Sequence, residues 1–190
     1  NSALYDLTTG ADNVGVGFDS LANITTGAYN TAVGSKALDA VTTANYNTAI
    51  GFVALGANTT GTENTAVGRN SLESNTTGSN NTAVGAMALD DNNADNNTAV
   101  GYKALNLNTT GEFNTGIGAN ALDANTTGDS NTSVGRASLG SNTTGDDNTA
   151  VGQSALTSNT TASNNTAVGR NALLLNTTGA QNVAVGSLAL

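Results

Sequence analysis

Four acidic side chains recur at one interval of the sequence and could bind a hard cation. They are spaced 17, 17 and 17 residues apart: Asp95, Glu112, Asp129 and Asp146. Asp91, Asn93 and Asp95 also alternate like the first oxygen ligands of a calcium loop, although the next position lacks that loop's Gly. The column therefore predicts either a Ca²⁺ site or a solvated edge where water and salt screen the repulsion. We expect no other cofactor.

Six aromatic residues occupy positions that vary between repeats, which places them on the predicted surface. They are Phe18, Tyr29, Tyr46, Phe52, Tyr102 and Phe113. Tyr29 and Tyr46 are one repeat apart, so we expect their rings to stack. Such faces pack against each other or a partner chain, and they are also the first candidates for gripping a glycan or receptor.

Composition excludes several chemistries. The chain has no His and no Cys, so it lacks the imidazole or thiolate of a Ser-His-Asp triad, a Cys nucleophile or the usual zinc site. A net charge of −9, from five Lys or Arg against fourteen Asp or Glu, disfavours nucleic acid and anionic membranes as partners. We expect no enzyme.

These residues are positioned by one repeat that runs along residues 1–190. A phrase such as Asn64-Thr65-Ala66-Val67-Gly68 returns every 17 residues, with a single step of 16. It opens at Asn13, Asn30, Asn47, Asn64, Asn81, Asn97, Asn114, Asn131, Asn148, Asn165 and Asn182. Four residues after each phrase stands a Leu, and an Asn-Thr-Thr-Gly turn follows in most copies. The chain is therefore predicted to be a single repeat array.

The repeat is too short for a helical hairpin and has no apolar period of 3.6, so it favours strands. Stacked coils at about 4.8 Å would form an all-β, parallel β-solenoid, or β-roll, of about eleven 17-residue coils. Thr65 and Val67 lie two apart, and we expect both to point inward with Leu72, while the intervening Ala points out. Stacked Asn side chains should form hydrogen-bonded ladders. Gly and Asn should supply the left-handed corners.

The step of 16 residues falls in 90–95, where the Asn-Thr-Thr-Gly phrase is lost. A one-residue slip within a strand would reverse its faces. We therefore expect an irregularity confined to this turn, with the later strands in register.

Each predicted coil buries only two large apolar side chains, contributing about 3 to 6 kcal/mol against an ordering cost of roughly 25 kcal/mol. Contacts with copies of the same chain would narrow this gap. Both ends fall within a coil, which favours a segment of a longer fibre or a subunit that stacks end to end.

The phrase Asn-Thr-Ala-Val-Gly-x-x-Ala-Leu-x-x-Asn-Thr-Thr-Gly, found with small changes in 114–128 and 148–161, resembles tandem repeats of phage tail fibres and bacterial surface fibres. It is also similar to the head repeat of trimeric autotransporter adhesins. The resemblance covers the whole chain. It implies a homotrimeric, extracellular stalk on a cell or virion surface, used in attachment.

The expected function is a structural fibre or adhesin segment, a stiff stalk that presents an attachment module. Its expected partners are copies of itself, as a homotrimer or an end-to-end filament, with a surface glycan or receptor as a further partner. Alternatives are a glycan- or receptor-binding solenoid surface, ice binding, and a glycan-cleaving tailspike with two carboxylates about 5 to 9 Å apart. Paired Thr such as Thr76 and Thr77 point to opposite faces of a strand, which argues against ice binding.

Two further readings of the turn phrase remain. Asn-Thr-Thr is an N-glycosylation sequon, and it is also an ordinary turn. Glycans on adjacent coils about 4.8 Å apart would collide, so only sparse glycosylation is compatible with the stack.

Overall fold

A computed structural model describes residues 2–190 and confirms an all-β parallel β-solenoid. The first residue of the predicted 1–190 array lies outside the described residues. The strands are Val14–Val16 (β1), Thr31–Val33 (β2), Thr48–Ile50 (β3), Thr65–Val67 (β4), Thr82–Val84 (β5), Thr98–Val100 (β6), Thr115–Ile117 (β7), Thr132–Val134 (β8), Thr149–Val151 (β9), Thr166–Val168 (β10) and Val183–Val185 (β11). Within residues 2–190 no helix is long and apolar enough to cross a membrane.

The eleven strands form one parallel sheet in chain order, each paired with the next. In β2 and β3, for example, Thr31 pairs with Thr48 and Ala32 with Ala49. The register also holds across the short step, where Thr82 pairs with Thr98. The irregularity is therefore confined to the turn, as the sequence predicted.

Positions in a coil are numbered here from the Asn before each strand, so that Asn30 is position 1 and Tyr46 is position 17. The predicted Leu column, at position 9, is confirmed as core. Leu21, Leu38, Leu55, Leu72, Leu89, Leu105, Leu122, Leu139 and Leu156 are fully buried, and Leu173 is nearly so. Leu190, the last residue, is exposed.

The strands face the opposite way from the sequence prediction. Ala32, Ala49 and Ala99 at position 3 are fully buried, whereas Val33, Ile50 and Val100 at position 4 point outward with 36, 42 and 37 % exposure. The expectation that Thr and Val face inward is therefore wrong.

The narrow interior explains this reversal. A Cβ added at Gly116, a position 3 residue, would lie 3.2 Å from the Leu105 Cγ and 3.2 Å from the Ala121 carbonyl oxygen. The one larger residue in this column, Ser133, places its hydroxyl 2.7 Å from the Ser138 carbonyl oxygen. Only Gly, Ala or Ser fits inside, so the branched side chains must lie outside.

The left-handed corners were only partly predicted. The Gly at position 5 has φ between 130 and 142° in every coil, and at Gly34 a Cβ would lie 2.3 Å from the Gly51 carbonyl oxygen. Left-handed backbone is also adopted by the repeat Leu, however, with φ from 47 to 54° between Leu21 and Leu173. Burial and the bond from the Leu38 N–H to the Ala54 carbonyl, at 3.1 Å, hold this residue in place.

Candidate functional site

The predicted Asn ladder at position 1 runs through the stack. The Asn30 Oδ1 accepts the Asn47 backbone N–H at 3.0 Å, and its Nδ2 donates to the Ala44 carbonyl at 2.8 Å. The same Oδ1 bond links each position 1 Asn to the next, up to Asn182. The amides are thus structural groups.

A second ladder is formed by the Asn of the turn phrase, at position 12. The Asn125 Nδ2 donates to the Asn108 Oδ1 at 2.8 Å and to the Gly128 carbonyl at 2.9 Å. Asn108 and Asn125 are fully buried. A glycan would attach at this Nδ2, so glycosylation of these two sequons would require the coil to open.

Position 12 changes its chemistry along the chain. Leu7, Ile24 and Val41 occupy it at the start, and Asn occupies it from Asn58 onward. Ile24 and Val41 are fully buried within the hydrophobic core, as Asn58 is within the amide ladder. The same site in the backbone therefore accepts an apolar stack or a hydrogen-bonded one.

Asn93 repairs the short coil. In a normal coil the Thr76 carbonyl accepts the Thr59 N–H at 2.9 Å and the Thr59 hydroxyl at 3.0 Å. One coil later the Asn93 Oδ1 takes this place, accepting the Thr76 N–H at 2.7 Å and the Thr76 hydroxyl at 2.8 Å. A side-chain amide thus replaces a missing peptide carbonyl, a role that the calcium-loop interpretation of Asn93 did not include.

The acidic column lies at position 16 and also binds backbone. The Asp95 Oδ1 accepts the Ser79 N–H at 2.7 Å, and the Asp129 Oδ1 accepts the Glu112 N–H at 2.7 Å. Asp146 does the same for Asp129 at 2.9 Å. Among residues 2–190 no group of three or more His, Cys, Asp or Glu side chains, Asp91 included, is arranged to hold a metal ion. The geometry accounts for these carboxylates as backbone acceptors.

The six aromatic candidates are all more than half exposed but do not form one site. Phe18, Phe52 and Tyr102 lie at position 6, separated by two and three coils, while the others lie at position 17. Tyr29 and Tyr46 stack as predicted, with ring centroids 5.0 Å apart and planes 1° from parallel.

A second acidic column, at position 10, was missed by the sequence analysis. Burial raises the pKa of Asp90 from its ordinary 3.8 to about 6, and the neighbouring carboxylates of Glu73 and Asp91 raise it further. A hydrogen bond with Asn106 and the charge of Arg69 act in the opposite direction. Burial, together with the charge of Asp19, also raises the pKa of Asp39, against the lowering effect of Lys36.

Gly56 interrupts this column and leaves a cleft of about 250 Å³. Lys36, Asp39 and Glu73 line it together with Val53 and Ala57. The cleft is open to solvent and carries both signs of charge.

The largest regular surface is the outer side of the sheet, which we call the Thr–Val face. It consists of the side chains at positions 2 and 4 of the eleven strands. Position 2 is Thr in nine strands and Val in β1 and β11, and position 4 is Val in nine and Ile in two. The face is therefore free of charge along the described sheet.

The Thr hydroxyls of this face point to solvent. Within residues 2–190 none of the nine strand Thr hydroxyls is bonded to another protein group, whereas turn hydroxyls such as those of Thr59 and Thr109 bond carbonyls of the next coil at 3.0 and 2.9 Å. The face thus offers a row of unused hydroxyls beside a row of methyl groups.

Comparison with known proteins gives no further assignment: no family model, no curated protein and no solved structure matches this chain.

Proposed function

We propose that the chain is a stiff structural rod, a spacer segment of a fibre that holds a binding module at a fixed distance from a surface. The observation that carries this proposal is the continuity of the ladders. Backbone pairing and the position 1 Asn bonds link every strand to the next, and the short step is bridged by Asn93.

Continuity matters because a spacer must not bend at a joint. Each coil contacts only its neighbours, so the stiffness of the stack is that of its weakest interface. The ten strand pairings repeat one register, and none is replaced by a loop. Length then depends only on the number of coils, each adding about 4.8 Å.

The test is a distance measured between two spin labels. The chain has no Cys, so Thr43→Cys and Thr161→Cys, both exposed turn positions seven coils apart, can be labelled selectively. We expect a narrow distribution near 34 Å, from seven rises of about 4.8 Å.

A matched deletion makes the test specific. Removing residues 115–131, one complete repeat, joins Asn114 to Thr132 and preserves the phrase. The distance should shorten by about 4.8 Å without broadening. A broad distribution that the deletion leaves unchanged would contradict the rod.

A further inference from the structure

The Thr–Val face is more uniform than the fold requires. Its side chains lie outside the solenoid, where the core does not restrict them, and position 17, also outside, varies freely among residues such as Asp12, Tyr29 and Glu63. Strand preference alone would accept Tyr, Phe or Trp and would mix Thr and Val between the columns. In β2 to β10, Thr instead occupies only position 2 and Val or Ile only position 4.

The face is periodic in two directions. Along the rod each column repeats at about 4.8 Å, and along each strand positions 2 and 4 are about 6.5 Å apart. The in-register pairing of all eleven strands extends this pattern over the whole sheet. Oxygen atoms on the prism faces of hexagonal ice repeat at similar distances in two perpendicular directions.

The hydroxyls decide between a crystal of water and a second protein. Dry packing of another chain would leave up to nine Thr hydroxyls to find partners, and each unpaired buried hydroxyl costs about 1 to 3 kcal/mol. A lattice of water molecules offers donors and acceptors at every rung. The Val and Ile methyl groups beside them restrict the neighbouring water without competing for hydrogen bonds.

We propose that the Thr–Val face binds ice, with the hydroxyl row bonded to water molecules that continue into the crystal. The inference goes beyond a spacer role, since a spacer needs no particular outer face. It also reverses the argument from Thr76 and Thr77: the relevant threonines are those of the strands, and each is paired on its face with the Val or Ile two residues later.

The experiment measures thermal hysteresis and inhibition of ice recrystallisation for the whole chain. Thr115→Lys places a charge in the middle of the face, and Thr127→Lys, in the same coil, makes the same change in an exposed turn. We expect the parent chain to be active, Thr115→Lys to lose more than half of the thermal hysteresis, and Thr127→Lys to retain it. Circular dichroism checks that both variants fold.

A milder variant keeps the test decisive if Thr115→Lys unfolds. Thr115→Ser retains the hydroxyl and removes one methyl group, and we expect a measurable loss of thermal hysteresis with an unchanged melting temperature. Loss of activity in Thr127→Lys equal to that in Thr115→Lys would overturn the assignment of the face.

Light scattering separates the remaining outcome. A chain that is monomeric and has no effect on ice would overturn the proposal. So would a chain that is oligomeric and is dissociated by Thr115→Lys, because the face would then be an interface between copies. Neither result bears on the spin-label distance, so the rod can fail or stand independently.

Discussion

At the scale of single residues, Asp90 is the side chain whose charge costs the fold most clearly. Its pKa is raised to about 6 by burial, Glu73 and Asp91, so the folded state holds the proton more tightly than the unfolded chain. This contribution to stability is fully present below about pH 4 and is lost as the pH rises through about 6. At pH 7 the ionised carboxylate is destabilising.

Asp90→Asn should therefore raise the free energy of unfolding at pH 7. The side chain is about half exposed, so we discount the full effect of the pKa shift for solvent screening and expect a gain of about 1 kcal/mol. Asn106 already occupies the same column in the next coil, which shows that the amide fits. Urea unfolding at pH 4 and pH 7 measures the effect: the gain should be present at pH 7 and small at pH 4. A gain of equal size at both values would contradict the electrostatic cause.

The repeat Leu shows what residue types do and do not reveal. Its recurrence in every coil predicted burial, and Leu21 to Leu156 are buried accordingly. Its left-handed backbone could not be predicted, because an isolated Leu avoids that conformation. The neighbouring coils impose it through hydrogen bonds and packing that exist only in the stack.

At the scale of elements, the short coil shows how a solenoid absorbs a deletion. The turn loses one residue, and the Asn93 Oδ1 accepts the Thr76 N–H that a backbone carbonyl would otherwise accept. Strand β6 then pairs with β5 in the common register. The deletion is tolerated because it falls in a turn and its hydrogen bond is replaced.

Asn93→Ala should destabilise the chain, since it leaves the Thr76 N–H and hydroxyl without their acceptor. We expect a loss of about 1 kcal/mol. Asn93→Asp retains the oxygen and is the matched control. Hydrogen exchange of the Thr76 amide reports the site directly: it should accelerate in Asn93→Ala and stay slow in Asn93→Asp. Equal exchange in both variants would show that Asn93 does not hold the turn.

The same scale explains which parts of the fold and the site could be predicted. Strand positions, register and the Asn ladder follow from a strict 17-residue period, because stacking brings like residues together. The facing of the strands did not follow, since ranking Val above Ala as a core residue ignores how little room lies between Ala99 and Leu105. The Thr–Val face was missed for the same reason, as its side chains had been placed inside.

At the scale of the whole molecule, the rod divides its chemistry between faces. Charge lies on the turns and the side columns, while the sheet presents only Thr, Val and Ile from β1 to β11. A spacer accounts for the continuous ladders, and ice binding accounts for the uniform outer face. Both proposals depend on the strands turning the same side outward in every coil.

The reactivity of two single cysteines tests that orientation most directly. Ser133→Cys is nearly isosteric at a fully buried position 3, and Val151→Cys places a thiol at an exposed position 4 of the next strand. Each variant is treated with a thiol reagent in the native state and in urea, and the parent chain, which has no Cys, gives the background. We expect the thiol of the Val151→Cys variant to react rapidly in the native state and that of the Ser133→Cys variant to react only on unfolding. Rapid native reaction in the Ser133→Cys variant with protection in the Val151→Cys variant would contradict the account.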